Sequence, residues 1–256
     1  IPPNTNPRTP TQKTISNQPP PAGGAALSSC NTVSQCFRAF TLAEVLVTLG
    51  IIGVVAAMTM PALIANHQKK AVAVKLARFY SIMSQAVLRW QQDEGVMPED
   101  VIFPAEAIKN GKELEKWYDN SIGKYIQIVS KKSTSSGFSV AFNDGSGFDA
   151  YVSGTALLHI FFCTEYKFCN QGQSPEGNFD GKRGFLFGIY KGKFIASNSS
   201  HQNLTRKELL DECKYGNSDN SDVSSSGRRH ACARLIQIDG WEIKDDYPWN
   251  QIMLEN

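Results

Sequence analysis

The sequence predicts an α+β fold, one long N-terminal helix followed by a head built on an antiparallel β-sheet. Three observations carry this. Phe40 to Ile64 is an apolar run broken by little more than one carboxylate, and it exceeds the roughly 20 residues a membrane helix needs. Val72, Leu76, Phe79, Met83, Ala86 and Trp90 then recur at spacings of four and three, an apolar stripe along one helix face. From Gly137 onward, short alternating segments separated by Asp-Gly and Lys-Gly turns read as neighbouring antiparallel strands.

The first 39 residues are rich in Pro, Ser, Thr, Asn and Gln and poor in large apolar side chains. Such a segment buries too little surface to offset its chain entropy, so it is expected to be a disordered leader or linker. It opens on Ile1 rather than Met, and the true start is expected upstream. Phe40–Ile64, 25 residues, would be about 37 Å long at ~1.5 Å per residue. That crosses a hydrocarbon core of about 30 Å with some tilt. Apolar residues cover every face from Val45 to Val55, which suits lipid better than a one-sided core contact. Glu44 breaks the run near its start. A carboxylate in lipid costs roughly 3 kcal/mol on insertion scales, so Glu44 is expected either at headgroup level or paired with a cation from another chain.

The stripe carries the helix on to about Gly95, where Gly and the later Pro98 end it. Ala105–Tyr118 reads as a second helix with a solvated face of alternating Glu and Lys. Gly137–Phe142 and Phe148–Val152 form a hairpin around Asn143-Asp-Gly-Ser-Gly147. Ala156–Cys163 and Arg183–Tyr190 are further strands, and Tyr190–Phe194 is another tight hairpin. Thr205–Cys213 is a helix with Thr205 as cap and Glu208 at the capping-box position. Trp241, Tyr247 and Trp249 are expected to close the core, and His159 to be a satisfied core residue within an apolar strand.

The residues around Glu44 carry a family resemblance. Arg38-Ala39-Phe40-Thr41-Leu42-Ala43-Glu44, followed by the long apolar run, resembles the cleavage and methylation signature of type IV pilins and type II secretion pseudopilins. The resemblance implies a pilin-like fold and a cut by prepilin peptidase between Ala39 and Phe40. It implies N-methylation of Phe40, and a role for Glu44 as the carboxylate that meets a neighbouring subunit's amine during assembly. Pro61, twenty-one residues after Phe40, falls where that family has a helix-kinking proline. The family has Gly before the cut where this chain has Ala39, and its leaders are shorter. The implied organisation is a removable leader over 1–39, a transmembrane helix over 40–64 and an extracytoplasmic head over 65–256. The implied partners are other pilin or pseudopilin subunits, the processing enzyme and the inner membrane, crossed once with the head outside. Lys69, Lys70, Lys75 and Arg78 follow the span and only Arg38 closely precedes it. A bare positive-inside count would place the head in the cytoplasm, so signature and cysteines are set against that count.

Cys163, Cys169, Cys213 and Cys232 suggest two disulfides in a head exposed outside the cytoplasm. Pairing Cys163 with Cys169 and Cys213 with Cys232 closes the shortest of the possible loops. A zinc site is the rival, but C-x5-C and C-x18-C lack the usual C-x2-C knuckle. Major pseudopilins can carry a calcium in a loop before the C-terminus. The Asn143–Gly147 turn, with Asn143 and Asp144, and the Asn178–Gly181 turn, with Asp180, are the weak candidates here. Neither matches the EF-hand spacing and turn chemistry explains both, so no cofactor is expected.

Composition excludes other classes. A net charge of +2 in 256 residues gives no basic footprint for nucleic acid. No zincin, nucleophile-elbow, P-loop or dinucleotide motif surrounds His67, His159, His201 or His230. The expected function is therefore structural and non-enzymatic, that of a pilus or pseudopilus subunit. An adhesive minor pilin, or an enzyme on a pilin-like anchor, is the alternative.

Overall fold

The computed structural model describes residues 41–169, 180–216 and 229–249. The chain divides into two units, Ile1–Ile52 and Gly53–Asn256. The first helix, α1, is Leu42–Glu94 and runs unbroken through Pro61. It ends as predicted, with Gly95 in the left-handed region at φ 66°.

The predicted second helix is corrected. Ala105–Ala107 is a single 3₁₀ turn, and α2 starts only at Gly111 and runs to Asn120. Lys109 adopts a left-handed φ of 55°, which no helix interior accommodates, and Asn110 caps α2 by accepting from the Glu113 N–H. The Glu–Lys alternation belongs to a solvated face, but it does not register this break.

Among the described residues the sheet has six strands in sequential antiparallel order, β1 Ser130–Ser133, β2 Gly137–Ala141, β3 Gly147–Gly154, β4 Leu157–Cys163, β5 Gly184–Tyr190 and β6 Lys193–Ala196. The β2–β3 and β5–β6 hairpins fall where the turn residues place them. In the second, Lys191 and Gly192 both have positive φ, 47° and 64°, as a two-residue primed turn requires. Gly192 is obligatory for a second reason. A Cβ there would meet Pro98 Cα at 2.5 Å, and the Gly192 carbonyl accepts from the Gln91 amide of α1 at 2.6 Å.

Period-two alternation sends Phe138, Val140, Phe148, Ala150, Val152, Leu158, Ile160, Phe162, Phe185, Phe187 and Ile189 to one buried face. From Ala73 onward α1 lays its stripe on this face. Leu76, Phe79, Met83, Ala86 and Trp90 are buried as predicted, with Ala73 rather than Val72 as the fully buried first position. The outer face is different in kind. Ser139 donates to the buried Asp149 at 2.5 Å, and Tyr151, His159 and Phe161 stack with ring planes within 13° of parallel. His159 is thus not in the main core; its position in the strand sends it to the opposite face from Leu158 and Ile160. Burial in the stack pushes its imidazole down to about 4, so it is neutral at ordinary pH.

Among the described residues, one strand and one α-helix are not predicted by the sequence pattern. β1, Ser-Lys-Lys-Ser, has no apolar alternation because it is an edge strand, and Lys131 leans back onto Glu115 and Asp119 of α2. The helix α4, Cys232–Ile238, is too short to show a period. The predicted helix near Thr205 is α3, Arg206–Tyr215, with the full Thr205/Glu208 capping box. Tyr247 and Trp249 are buried, and Trp241 is half-buried, its ring 5.2 Å from Tyr80 of α1.

Charge ties the C-terminal segment to α3. The Arg206 guanidinium forks onto Asp239, through Nε at 2.7 Å and Nη2 at 2.8 Å, and onto Asp246, through Nη1 at 2.7 Å and Nη2 at 2.9 Å. Burial alone would raise the Asp239 carboxyl, but Arg206 and Lys244 outweigh it and hold it below the usual carboxylate range. Hydrogen bonds from Arg206 lower Asp246 in the same direction.

Truncating Phe79, which meets five other rings, as Phe79→Ala should cost about 3–5 kcal/mol in guanidinium unfolding of the detergent-solubilised chain. Both lowered carboxyls bind protons more weakly folded than unfolded, so their stabilisation is present above the ordinary Asp value and lost on acidification. Stability should fall below about pH 4, and Asp239→Asn should lower stability at neutral pH while flattening that fall.

Candidate functional site: the N-terminal helix and what flanks it

The candidate site starts at the first turn of α1. The Thr41 backbone N–H and the Thr41 hydroxyl both donate to Glu44 Oε2, each at 2.9 Å, and the Glu44 N–H donates back to Thr41 Oγ1 at 3.2 Å. This is a reciprocal capping box at a helix N-terminus, where the macrodipole also favours a carboxylate. The Thr-x-x-Glu spacing of Thr41 and Glu44 is a capping-box pattern in the sequence itself. Ala39 and Phe40, the predicted cleavage and methylation residues, lie outside the described residues.

From this cap to Ile64 every large apolar side chain of α1 is exposed. Exposure runs from 81% at Leu42 and 43% at Val45 to 53% at Ile64. Gly50 and Gly53 have nothing within 4 Å of where a Cβ would point. A run this apolar is stable only against lipid or other apolar helices, and small residues permit close backbone approach. By length and composition, α1 can cross a membrane. Pro61 lies inside it and can donate no backbone hydrogen bond.

The cations just after the span have partners in the head. Lys69 lies 3.9 Å from Asp245, Lys75 Nζ donates to the Thr164 carbonyl at 2.7 Å, and Arg78 lies 3.5 Å from Asp144. Three of the four residues that skewed the positive-inside count are therefore engaged with the folded head. Cys163 is joined to Cys169 and Cys213 to Cys232. The cluster of Asp149 with Cys163 and Cys169 consequently holds no free thiolate for a metal.

The calcium candidates have other uses. Asp144 Oδ1 accepts from the Ser146 N–H at 3.0 Å and from the Ser146 hydroxyl at 2.5 Å, an Asx turn, and Arg78 faces Oδ2. Burial would raise this carboxyl, but the Ser146 donors, Lys75 and Arg78 hold it below the usual range. Asn143 beside it is exposed. Asp180 Oδ1 accepts from the N–H groups of Lys182, Arg183 and Gly184, and Oδ2 from Arg183 Nε at 2.8 Å. The cations beside both carboxylates compete with any bound metal ion. Asn178 lies outside the described residues.

The structure also assembles a trio that the sequence did not nominate. Ser197 Oγ lies 2.5 Å from His201 Nδ1, and His201 Nε2 lies 2.6 Å from Glu212 Oε2. Ser197 has a φ of 70° and donates its hydroxyl to the His230 carbonyl at 2.8 Å. Ser197 is 0% exposed and His201 1%, so no substrate reaches the hydroxyl. The trio joins the end of β6 to α3 and to the residue pair before α4. Burial outweighs the Glu212 carboxylate and holds the His201 imidazole below its ordinary value.

Comparison with known proteins divides the chain near the end of the span. The prokaryotic N-terminal methylation motif matches residues 35–60. A family of unknown function (DUF6613) matches residues 62–251, most of the chain. No curated protein and no solved structure matches. The N-terminal segment thus carries the type IV pilin and pseudopilin signature, on a pilin-like α+β head, and the chain as a whole belongs to the family of unknown function DUF6613.

Proposed function

We propose that this protein is a structural subunit of a type II secretion pseudopilus or a type IV pilus. It is inserted as a single-pass inner-membrane protein with its head outside the cytoplasm, cut between Ala39 and Phe40, N-methylated at Phe40 and assembled through α1. The observation that carries this reading is the first half of α1 itself, a helix with its large apolar side chains exposed and headed by one carboxylate at Glu44, within a segment that matches the methylation motif. The cost of a lone carboxylate in lipid is offset in the isolated subunit by the Thr41 cap. In the assembled state the same carboxylate neutralises the amine that cleavage creates on a neighbour.

Two features support the outward head. Disulfides persist in oxidising compartments, and two are formed here. Lys69, Lys75 and Arg78 are drawn onto the head, which reduces their weight as free cytoplasmic anchors. A purely mechanical role also suits the buried placing of Ser197 and His201.

Co-expression with a prepilin peptidase, followed by peptide mass spectrometry of the membrane form, tests the pathway. The expected product starts at Phe40 and is about 14 Da heavier when the methylating enzyme is present; an uncut chain, or a different new N-terminus, rejects it. Glu44→Val should leave membrane insertion intact and abolish incorporation into sheared filaments. Normal incorporation of that variant would remove Glu44 from the assembly mechanism.

A further inference from the structure

Beside α1 the head holds a cleft of about 260 Å³. Lys75, Arg78, Phe79 and Ile82 of α1 line one wall, at spacings that share one helix face. The β2–β3 turn, with Phe142, Asp144 and Ser146, forms the opposite wall, and Tyr125 and Gln127 flank it. The cleft's accessible apolar surface is the half-buried Phe142 and Ile82, with Phe79 and Phe162 buried beneath them.

Charge over this surface is unbalanced. Lys75 Nζ gives one hydrogen bond to the Thr164 carbonyl, and an ammonium has three to give. The Arg78 side chain is 56% exposed and meets Asp144 at 3.5 Å, too long for a firm hydrogen bond. Asp144 is the one carboxylate among the lining residues, and its Oδ1 is taken by Ser146. Tyr125 adds no negative charge, because its hydroxyl donates to Asp93 at 2.7 Å and this holds it protonated, pushed up to about 12. Two cations over aromatic walls therefore face a single, already engaged carboxylate.

We propose that this cleft binds a small organic anion with an apolar body, an aryl- or alkyl-carboxylate, whose acid lies between Lys75 and Arg78 and whose hydrocarbon lies on Phe142 and Ile82. A metal cation is disfavoured by the same two residues. A neutral apolar molecule leaves their donors unmatched. The space corresponds to about nine waters at ~30 Å³ each, room for one ring and a short acid arm. A free acid and the C-terminal residue of a short extracytoplasmic peptide present the same chemistry.

The test uses the full chain in lipid nanodiscs, with empty nanodiscs subtracted, and equilibrium dialysis against labelled 3-phenylpropionate, its amide, and Gly-Gly-Phe with a free or amidated C-terminus. Saturable binding of the acid at one equivalent per chain, with the amides weaker, is expected. Arg78→Gln and Gln127→Glu change exposed residues and should each weaken acid binding, the first at least about tenfold, the scale of one charge-assisted hydrogen bond. Tighter binding of the free-carboxylate peptide than of 3-phenylpropionate assigns the natural source to peptide C-termini, and the reverse assigns it to free acids. Amides binding as well as acids, no saturable binding of either probe, or acid binding unchanged in both variants would each overturn the proposal.

Discussion

The ring of Phe79 lies 4.5 Å from Phe162, 5.2 Å from Phe187, 5.7 Å from Phe194, 5.9 Å from Phe148 and 6.1 Å from Phe142. These five rings come from β3, β4, β5, β6 and the β2–β3 turn, so one side chain of α1 touches most of the sheet. Offset and edge-on aromatic pairs add to area burial, and a helix rising from a membrane needs such a fixed point to hold its head. Leu76 and Met83, one turn either side, extend the contact along the same stripe. The rest of the head is arranged around this seam.

Polar and covalent ties hold the C-terminal layer, where apolar area is smaller. α4 offers only seven residues. It is secured by the Cys213–Cys232 bridge, worth about 2–4 kcal/mol by loop closure. Arg206 clasps Asp239 and Asp246, and Arg229 donates to the last carbonyls of α3. Ser197 tolerates a left-handed backbone because its N–H donates to Leu186 at 2.8 Å while its side chain serves His201 and His230. The same economy explains the acidic turns. Asp144 and Asp180 accept backbone N–H groups within their turns and face Arg78 and Arg183.

The two halves of α1 obey different solvents. From Val45 to Val55 apolar residues cover every face, and the large apolar side chains from Leu42 to Ile64 are exposed; from Ala73 to Gln91 burial follows a helical period. The change of pattern marks where lipid or neighbouring helices give way to the protein's own core. It falls shortly after the boundary between the methylation motif and the DUF6613 match.

Elements whose physics is local can be read from the residues alone. The apolar run, the Leu76–Trp90 stripe, the β2–β3 and β5–β6 hairpins and the Thr205 capping box were legible because periodicity, turn residues and caps act within a few positions. Glu44 was legible because a single charge in an apolar run has no local explanation. The remaining features depend on contacts between distant segments. Lys109 breaks the expected helix because α2 must begin where Gly111 can pass under the carbonyls of Thr134 and Gly137. β1 is a strand only because β2 pairs with it, and α4 is a helix buried against β5 and β6. His159 reads as core, but register sends it to the outer face, where Tyr151 stacks on it. Ser197, His201 and Glu212 meet across fifteen positions of chain, and the cleft gathers residues from α1 to β4. Such sites are made by chain segments distant in sequence, and no local pattern encodes the distance between them.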